Sequence, residues 1–159
     1  MEEKLAAYYG REAALVFTTG CQVNLALCSA LLSSEDSVAV IDRSVHASIY
    51  DGIRLAQAAG CKLLRFKHNS ASSLDRALSK LGAGDAALVL IDGVFSAEGD
   101  IAQLDELVPV AQEHGARIFV DDAHALGVIG PGGRGTAHHF GLEDDVDLIG
   151  GTFSKSLAS

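Results

Sequence analysis

The chain has 159 residues, 48% of them hydrophobic, enough for one domain of common size with a real core. Its formal net charge of −9 argues against a nucleic-acid surface. No apolar run approaches the roughly 20 residues that a membrane helix needs, and the acidic, amphipathic start Met1-Glu2-Glu3-Lys4 does not read as a signal peptide.

Taken in chain order, the hydrophobic periodicity alternates between helix and strand. Glu2–Tyr9 reads as a helix ending at Gly10, and Ala14–Phe17 as a short apolar strand. Cys21–Leu32 carries Val23, Leu27 and Leu31 at helical spacing. A strand over Ser37–Ile41, a helix over His46–Ala59 and a strand over Lys62–Phe66 come next. The helix predicted over Ala71–Leu81 places Leu74, Leu78 and Leu81 on one face. A strand over Ala86–Ile91, a helix over Leu104–His114 and strands over Arg117–Val120 and Val146–Ile149 complete the set. Runs such as Ala87-Leu-Val-Leu-Ile91 are apolar throughout, as in strands buried on both faces. Strands alternating with helices of this length predict an α/β fold: a mostly parallel sheet with helices on both faces. There is no repeat, low-complexity stretch or linker.

The three cysteines, Cys21, Cys28 and Cys61, are odd in number and widely spaced, which fits a reducing, cytoplasmic setting without a disulfide framework. No Cys/His cluster has metal-ligand spacing, and the adjacent His138-His139 pair reads as a surface loop.

In an α/β fold the loops at the carboxyl ends of strands form the site, and the chemically notable residues fall there. Gly151-Thr-Phe-Ser-Lys155 sets a lysine beside small hydroxyl residues, a composition that suits an amine next to a bound phosphate. Phe119-Val-Asp-Asp-Ala-His124 is a strand that ends in two carboxylates and a histidine. A lysine that can hold an aldehyde and an aspartate that can partner a pyridinium nitrogen together suit pyridoxal phosphate (PLP). Thr18-Thr-Gly-Cys-Gln22 joins the first strand to a helix and offers backbone N–H groups to a phosphate. His46, after Asp42-Arg43, has two readings: a ring stacked on an aromatic cofactor, or ordinary packing at a helix start. Ser96, in Asp92-Gly-Val-Phe-Ser-Ala-Glu-Gly-Asp100, is either a donor to a phenolic oxygen or part of a Gly-rich turn. Gly127-Val-Ile-Gly-Pro-Gly-Gly-Arg-Gly135 lacks the GK[ST] ending of a phosphate loop and reads as a loop near the site.

Taken together, these motifs resemble the α-oxoamine synthases, PLP enzymes of the aspartate-aminotransferase superfamily (fold type I). The likeness runs through Glu12-Ala-Ala-Leu-Val-Phe17, Thr19-Gly20 with Asn24, Asp42-Arg43 with His46-Ala-Ser48, and Asp92-Gly-Val-Phe-Ser96 with Gly99-Asp100. It continues through Asp121-Asp-Ala-His124, Gly127-Val-Ile-Gly130, Gly133-Arg-Gly135, Gly151-Thr152 and Lys155. Phe153-Ser-Lys-Ser156 is most like the serine palmitoyltransferase-type branch, although many members carry Leu-Gly in place of Phe153-Ser154 and several carry Glu in place of Asp92. The resemblance implies Lys155 as the Schiff-base lysine, Asp121 as partner of the pyridine nitrogen and His46 as the stacking ring. It also implies Ser96 and His124 near the phenolic oxygen, and Gly20, Cys21 and Thr152 at the phosphate.

The implied activity is condensation of an amino acid with an acyl-CoA, with loss of CO2, by a homodimer. An aminotransferase uses the same Lys and Asp; many stack an aromatic where His46 stands and carry Tyr where His124 stands. A non-catalytic subunit or binding module is the alternative of another class, and Lys155 argues against it. Family members are more than twice as long, so residues 1–159 are expected to be part of a PLP-binding large domain. An N-terminal segment, a small C-terminal domain and the arginine for the substrate carboxylate are expected outside it.

Overall fold

Strands that are apolar along their whole length have to be covered on both faces, and the order of their connections decides how. The computed structural model describes residues 1–159. The strands are β1 (Ser37–Asp42), β2 (Lys62–Phe66), β3 (Ala86–Asp92), β4 (Arg117–Asp121) and β5 (Leu148–Gly150). The helices are α1 (Glu2–Tyr9), α2 (Gly20–Leu31), α3 (Ala47–Gln57), α4 (Ala71–Leu78), α5 (Leu104–Glu113) and α6 (Thr136–Phe140). All strand pairs are parallel, in the order β2-β1-β3-β4-β5.

From β1 the chain crosses through α3 to β2 on one side, then returns through α4 to β3 on the other side and continues outward. Right-handed crossovers in opposite directions put α3 on one face and α4 and α5 on the other. α2 packs on α3, and α6 extends the α4–α5 layer. The core is one cluster of 31 buried residues, with Phe66, Phe95, Phe119, Ile41, Ile49 and Leu90 among its largest members. Burial of each such side chain contributes about 1.5–3 kcal/mol. No helix is long and apolar enough to cross a membrane.

Two helices come close only where a side chain is missing. A Cβ at Gly52 would lie 2.9 Å from both the Asn24 carbonyl oxygen and Cys28 Cβ, so Gly52 lets α3 press against α2. Burial pushes the Cys28 thiol up to about 12, which keeps it a small apolar packing group.

The predicted strand at Ala14–Phe17 is absent: these residues pair with no neighbour, Leu15 is 77% exposed, and the Val16 N–H donates to Glu2 Oε1 at 2.8 Å. An apolar run has strand propensity but needs an edge to pair with. The last strand begins two residues later than predicted, because Val146 closes a turn onto Leu142 and the Asp147 carboxylate accepts the Ile118 N–H at 2.8 Å. The helices predicted to Ala59, Leu81 and His114 end at Gln57, Leu78 and Glu113. α6 and the 3-10 turn Pro131–Gly133 carried too short a pattern to be predicted. His138 is buried in α6, not in a surface loop, while His139 is exposed.

One buried carboxylate pins the turn after β4. Asp122 accepts the Thr136 N–H at 2.9 Å and the Thr136 hydroxyl at 2.6 Å, which fixes the start of α6 below the Gly-rich loop. Gly93 and Gly135 flank that carboxylate so closely that a Cβ at either would overlap it. Burial raises Asp122 to about 6, against the pull of the two Thr136 bonds. Its folded pKa therefore lies above the unfolded value near 4. The stability it contributes is full below that value and is lost as pH rises through about 6. In the intact protein, Gly93→Ala should cost about 1–3 kcal/mol in urea denaturation. Gly82→Ala, whose nearest neighbour Asp85 Oδ2 is 3.6 Å away, should be neutral within about 0.5 kcal/mol. Thr136→Val removes a bond that favours the ionised carboxylate, so its deficit should be larger at pH 8 than at pH 5, reaching about 1.5–3 kcal/mol. An equal deficit at both pH values would show that Asp122 does not titrate there.

Candidate active site

The direction of strand addition reverses between β1 and β3, and the loops leaving their carboxyl ends diverge to form a crevice. A cavity of about 170 Å³ opens there. Its floor is formed by Asp92 and Asp121, which end β3 and β4 in register. His46 and Ser48 enter it from the start of α3, Gly20, Cys21 and Asn24 from α2, His124 from the turn after β4, and Thr152, Ser154 and Lys155 from the loop after β5.

A chain of hydrogen bonds runs across this cleft. Asp121 Oδ2 accepts from Asn24 Nδ2 at 2.7 Å, and its Oδ1 accepts the Ala123 N–H at 3.0 Å. The same Asn24 amide donates to Ser48 Oγ at 2.8 Å. His46 Nδ1 accepts from the Ser48 N–H at 3.2 Å and from its hydroxyl at 2.7 Å, so the ring proton sits on Nε2. The His46 N–H in turn donates to the Asp92 carboxyl at 3.1 and 3.2 Å. Apart from the local Asp121–Ala123 bond, every link joins residues distant in sequence or caps a helix start, so the ring and the carboxylate are placed by one another.

On the other wall, Lys155 Nζ lies 2.7 Å from His124 Nε2. Burial, and then the positive charge of Lys155, hold the His124 ring below its ordinary pKa. At neutral pH the imidazole is therefore uncharged, and its Nε2 accepts from the Lys155 ammonium. Lys155 itself is exposed rather than desolvated.

The third corner is built for an anion. The N–H groups of Gly20 and Cys21 begin α2 and have no partner within the chain, since Thr19 Oγ1 and the Thr19 carbonyl take those of Gln22 and Val23. Thr152 closes against them: a Cβ on Gly20 would lie 3.3 Å from Thr152 Cβ. The Thr152 hydroxyl is 2.9 Å from that of Ser154.

Of the residues singled out in the sequence, the structure brings Lys155, His46, Asp121, His124, Gly20, Cys21 and Thr152 to this one cleft. Ser96 does not line it. The hairpin closed by the Val94–Ile101 bridge turns Phe95 into the core and leaves Ser96 exposed. Sequence reasoning did not select Asn24, Ser48, Asp92 or Ser154 as site residues. Asn24 had a signal: it is a polar residue beside the Val23, Leu27, Leu31 stripe of α2, and it is 3% exposed. Ser48 had none.

The whole chain, residues 1–159, matches the family described as aminotransferase class I and II. It is 50% identical over its full length to a serine palmitoyltransferase of Sphingobacterium spiritivorum and 43% identical to an 8-amino-7-oxononanoate synthase of Citrifermentans bemidjiense. It covers 39% and 40% of those two proteins. Its fold superposes with a TM-score of 0.92, at 42% identity, on a solved serine palmitoyltransferase from S. paucimobilis with bound PLP–myriocin aldimine, covering 99% of this chain and 39% of that one. The chain thus spans about two fifths of the length of the relatives it matches, and both named relatives are α-oxoamine synthases. With the cleft at the switch point and a family match along its entire length, the chain belongs to the aminotransferase class I and II family.

Proposed function

We propose that the intact protein is a PLP-dependent acyltransferase that condenses an amino acid with an acyl-CoA and releases CO2 and CoA. The observation that carries this reading is the single cleft in which Lys155, Asp121, His46 and His124 converge beside an anion-binding corner. The serine palmitoyltransferase relatives, together with Phe153-Ser-Lys-Ser156, support serine and a long acyl chain as substrates.

The donor set fits PLP. Asp121, 8% exposed and held by Asn24, supplies a buried carboxylate for the pyridine nitrogen. The free N–H groups of Gly20 and Cys21 and the Thr152 hydroxyl would hold the phosphate, and Lys155 Nζ the aldehyde carbon. The His46 ring, fixed at Nδ1, would lie against the ring face, and His124 would meet the phenolic oxygen. When bound, PLP supplies an electron-poor ring that stabilises negative charge at the substrate's α-carbon.

The chain's own groups do the rest. Lys155 Nζ is the base that takes the α-proton, and the neutral His124 Nε2 orients it by accepting its hydrogen bond. Asp121 is held facing the cleft by Asn24 and the Ala123 N–H, which both donate to it. His46, locked by Ser48, presents a flat face over which the thioester can be oriented.

Residues 1–159 are then part of the PLP-binding large domain of a longer protein, which their coverage of 39–40% of the relatives supports. The free cysteines support a cytoplasmic location. Leu15, Val16 and Phe17, exposed at 77, 41 and 39%, support a homodimer in which this run is covered.

Borohydride reduction of the PLP-loaded protein, followed by peptide mapping, should place the pyridoxyl label on Lys155; a label on another lysine sinks the assignment. Free thiol should be released from acyl-CoA only when amino acid is also present, with serine and a long chain best in a panel with glycine, alanine and short chains. His46→Ala should keep PLP yet lose at least about tenfold in that rate, an effect of the size that misplaced reactants produce. Transfer of nitrogen to a keto acid without thiol release would make the protein an aminotransferase instead. Light scattering of the intact protein should give a dimer that Phe17→Glu shifts toward monomer, and a monomer with full PLP affinity would contradict the assembly.

A further inference from the structure

β3 and β4 end in register on Asp92 and Asp121, which stand side by side, exposed by 3 and 8%, while Asp42, fully buried at the end of β1, falls opposite Ile91 and so on the other face of the sheet. Two buried carboxylates cannot share a small volume unless each is well supplied with donors or cations. The supply here is unequal. Asp42 accepts the N–H groups of Ser44 at 2.9 Å and Asn69 at 2.8 Å, and meets His68 Nδ1 at 3.2 Å. Asp121 has the Asn24 side-chain amide on one oxygen and the Ala123 N–H on the other. Asp92 has one backbone N–H, that of His46, divided between its two oxygens at 3.1 and 3.2 Å, and no side-chain donor.

We infer that Asp92 is the proton-holding member of this pair and a positioning residue of the cleft, seating His46 through its N–H. The surroundings agree. Asp92 is faced by Asp121 from β4, the His46 N–H from the start of α3 and Lys155 from the loop after β5, with His124 on the same cleft and the charge of Asp42 behind it across the sheet. Burial first, and then the charge of Asp121, push Asp92 up to about 7, against the pull of the His46 N–H and of Lys155.

The arrangement has a consequence for the amine. The positive charge of Lys155 favours ionised Asp92, so by reciprocity ionised Asp92 favours the ammonium form of Lys155. As pH rises through about 7 the cleft gains a negative charge at Asp92, beside Lys155. This consequence rests on the role proposed above for Lys155, whereas the proton on Asp92 rests on no cofactor.

The test is a residue-assigned carbon NMR titration of the aspartate carboxyls in the intact protein freed of PLP, with Asp92→Asn beside it. That variant keeps the shape and an acceptor for the His46 N–H but cannot ionise. The wild type should show Asp92 titrating near pH 7, and that neutral-pH step should vanish in Asp92→Asn. An Asp92 midpoint below about pH 5, read from the wild type alone, would overturn the inference. The second readout is the absorbance of bound PLP against pH, which should lose its step near pH 7 in Asp92→Asn; identical titrations in the two proteins would remove the coupling to Lys155. A protein that takes up no PLP would sink the proposed function, and the NMR midpoint would still decide the protonation of Asp92.

Discussion

A carboxylate kept at the dry end of a parallel sheet imposes conditions on everything around it. Asp121 ends β4 almost fully buried, and its oxygens are satisfied there because Asn24 donates to one and the Ala123 N–H to the other. Asn24 reaches it from α2, a helix far away in sequence. α2 and α3 press together at Asn24 and Cys28, an approach that the bare backbone of Gly52 permits. The same amide then serves Ser48 at the start of α3, and Ser48 fixes the ring of His46. One buried carboxyl group thus couples the packing of two helices to the orientation of a ring across the cleft.

The neighbouring carboxylates show how position in the sheet sets their roles. Asp42 is held by backbone donors and by His68, which bridges it to Asp100 and sets its ring edge against Phe95 at 4.4 Å. Burial alone would push His68 down, but its hydrogen bonds to Asp100 and Asp42 outweigh that and raise its pKa. The cluster ties the hairpin after β3 to the loops after β1 and β2. Asp122 does the corresponding task beside the cleft, clamping Thr136 and so the entry to α6. Both groups hold loops in place from behind, and the groups that face the cleft inherit their precision.

The charge pattern in the cleft is asymmetric in a chemically useful way. One wall carries a lysine whose hydrogen-bond partner is an uncharged imidazole, the floor carries carboxyls, and the N-terminus of α2 offers unpaired N–H groups. An elongated ligand that is anionic at one end, with a ring nitrogen and a carbonyl carbon elsewhere, meets a complementary group at each point. No single one of these features is specific, because helix N-termini, buried aspartates and exposed lysines are common. Their convergence within about 170 Å³ is what gives the arrangement meaning.

Much of this was legible in the sequence. Fully apolar runs flanked by helical periodicity can settle only as a covered parallel sheet, so the fold class followed from pattern. The loop residues Lys155, Asp121, His46 and His124 stood out because the carboxyl ends of such strands face the crevice. What the tertiary structure alone decided was partnership. Ala14–Phe17 has strand propensity but no edge to join, and Ser96 sits on a hairpin whose buried anchor, Phe95, turns it outward. Ser48 and Asp92 joined the cleft because strand register and helix approach brought distant donors and acceptors together. Local periodicity records which face of an element is buried, whereas a hydrogen bond between Asn24 and Asp121 exists only once the elements have packed.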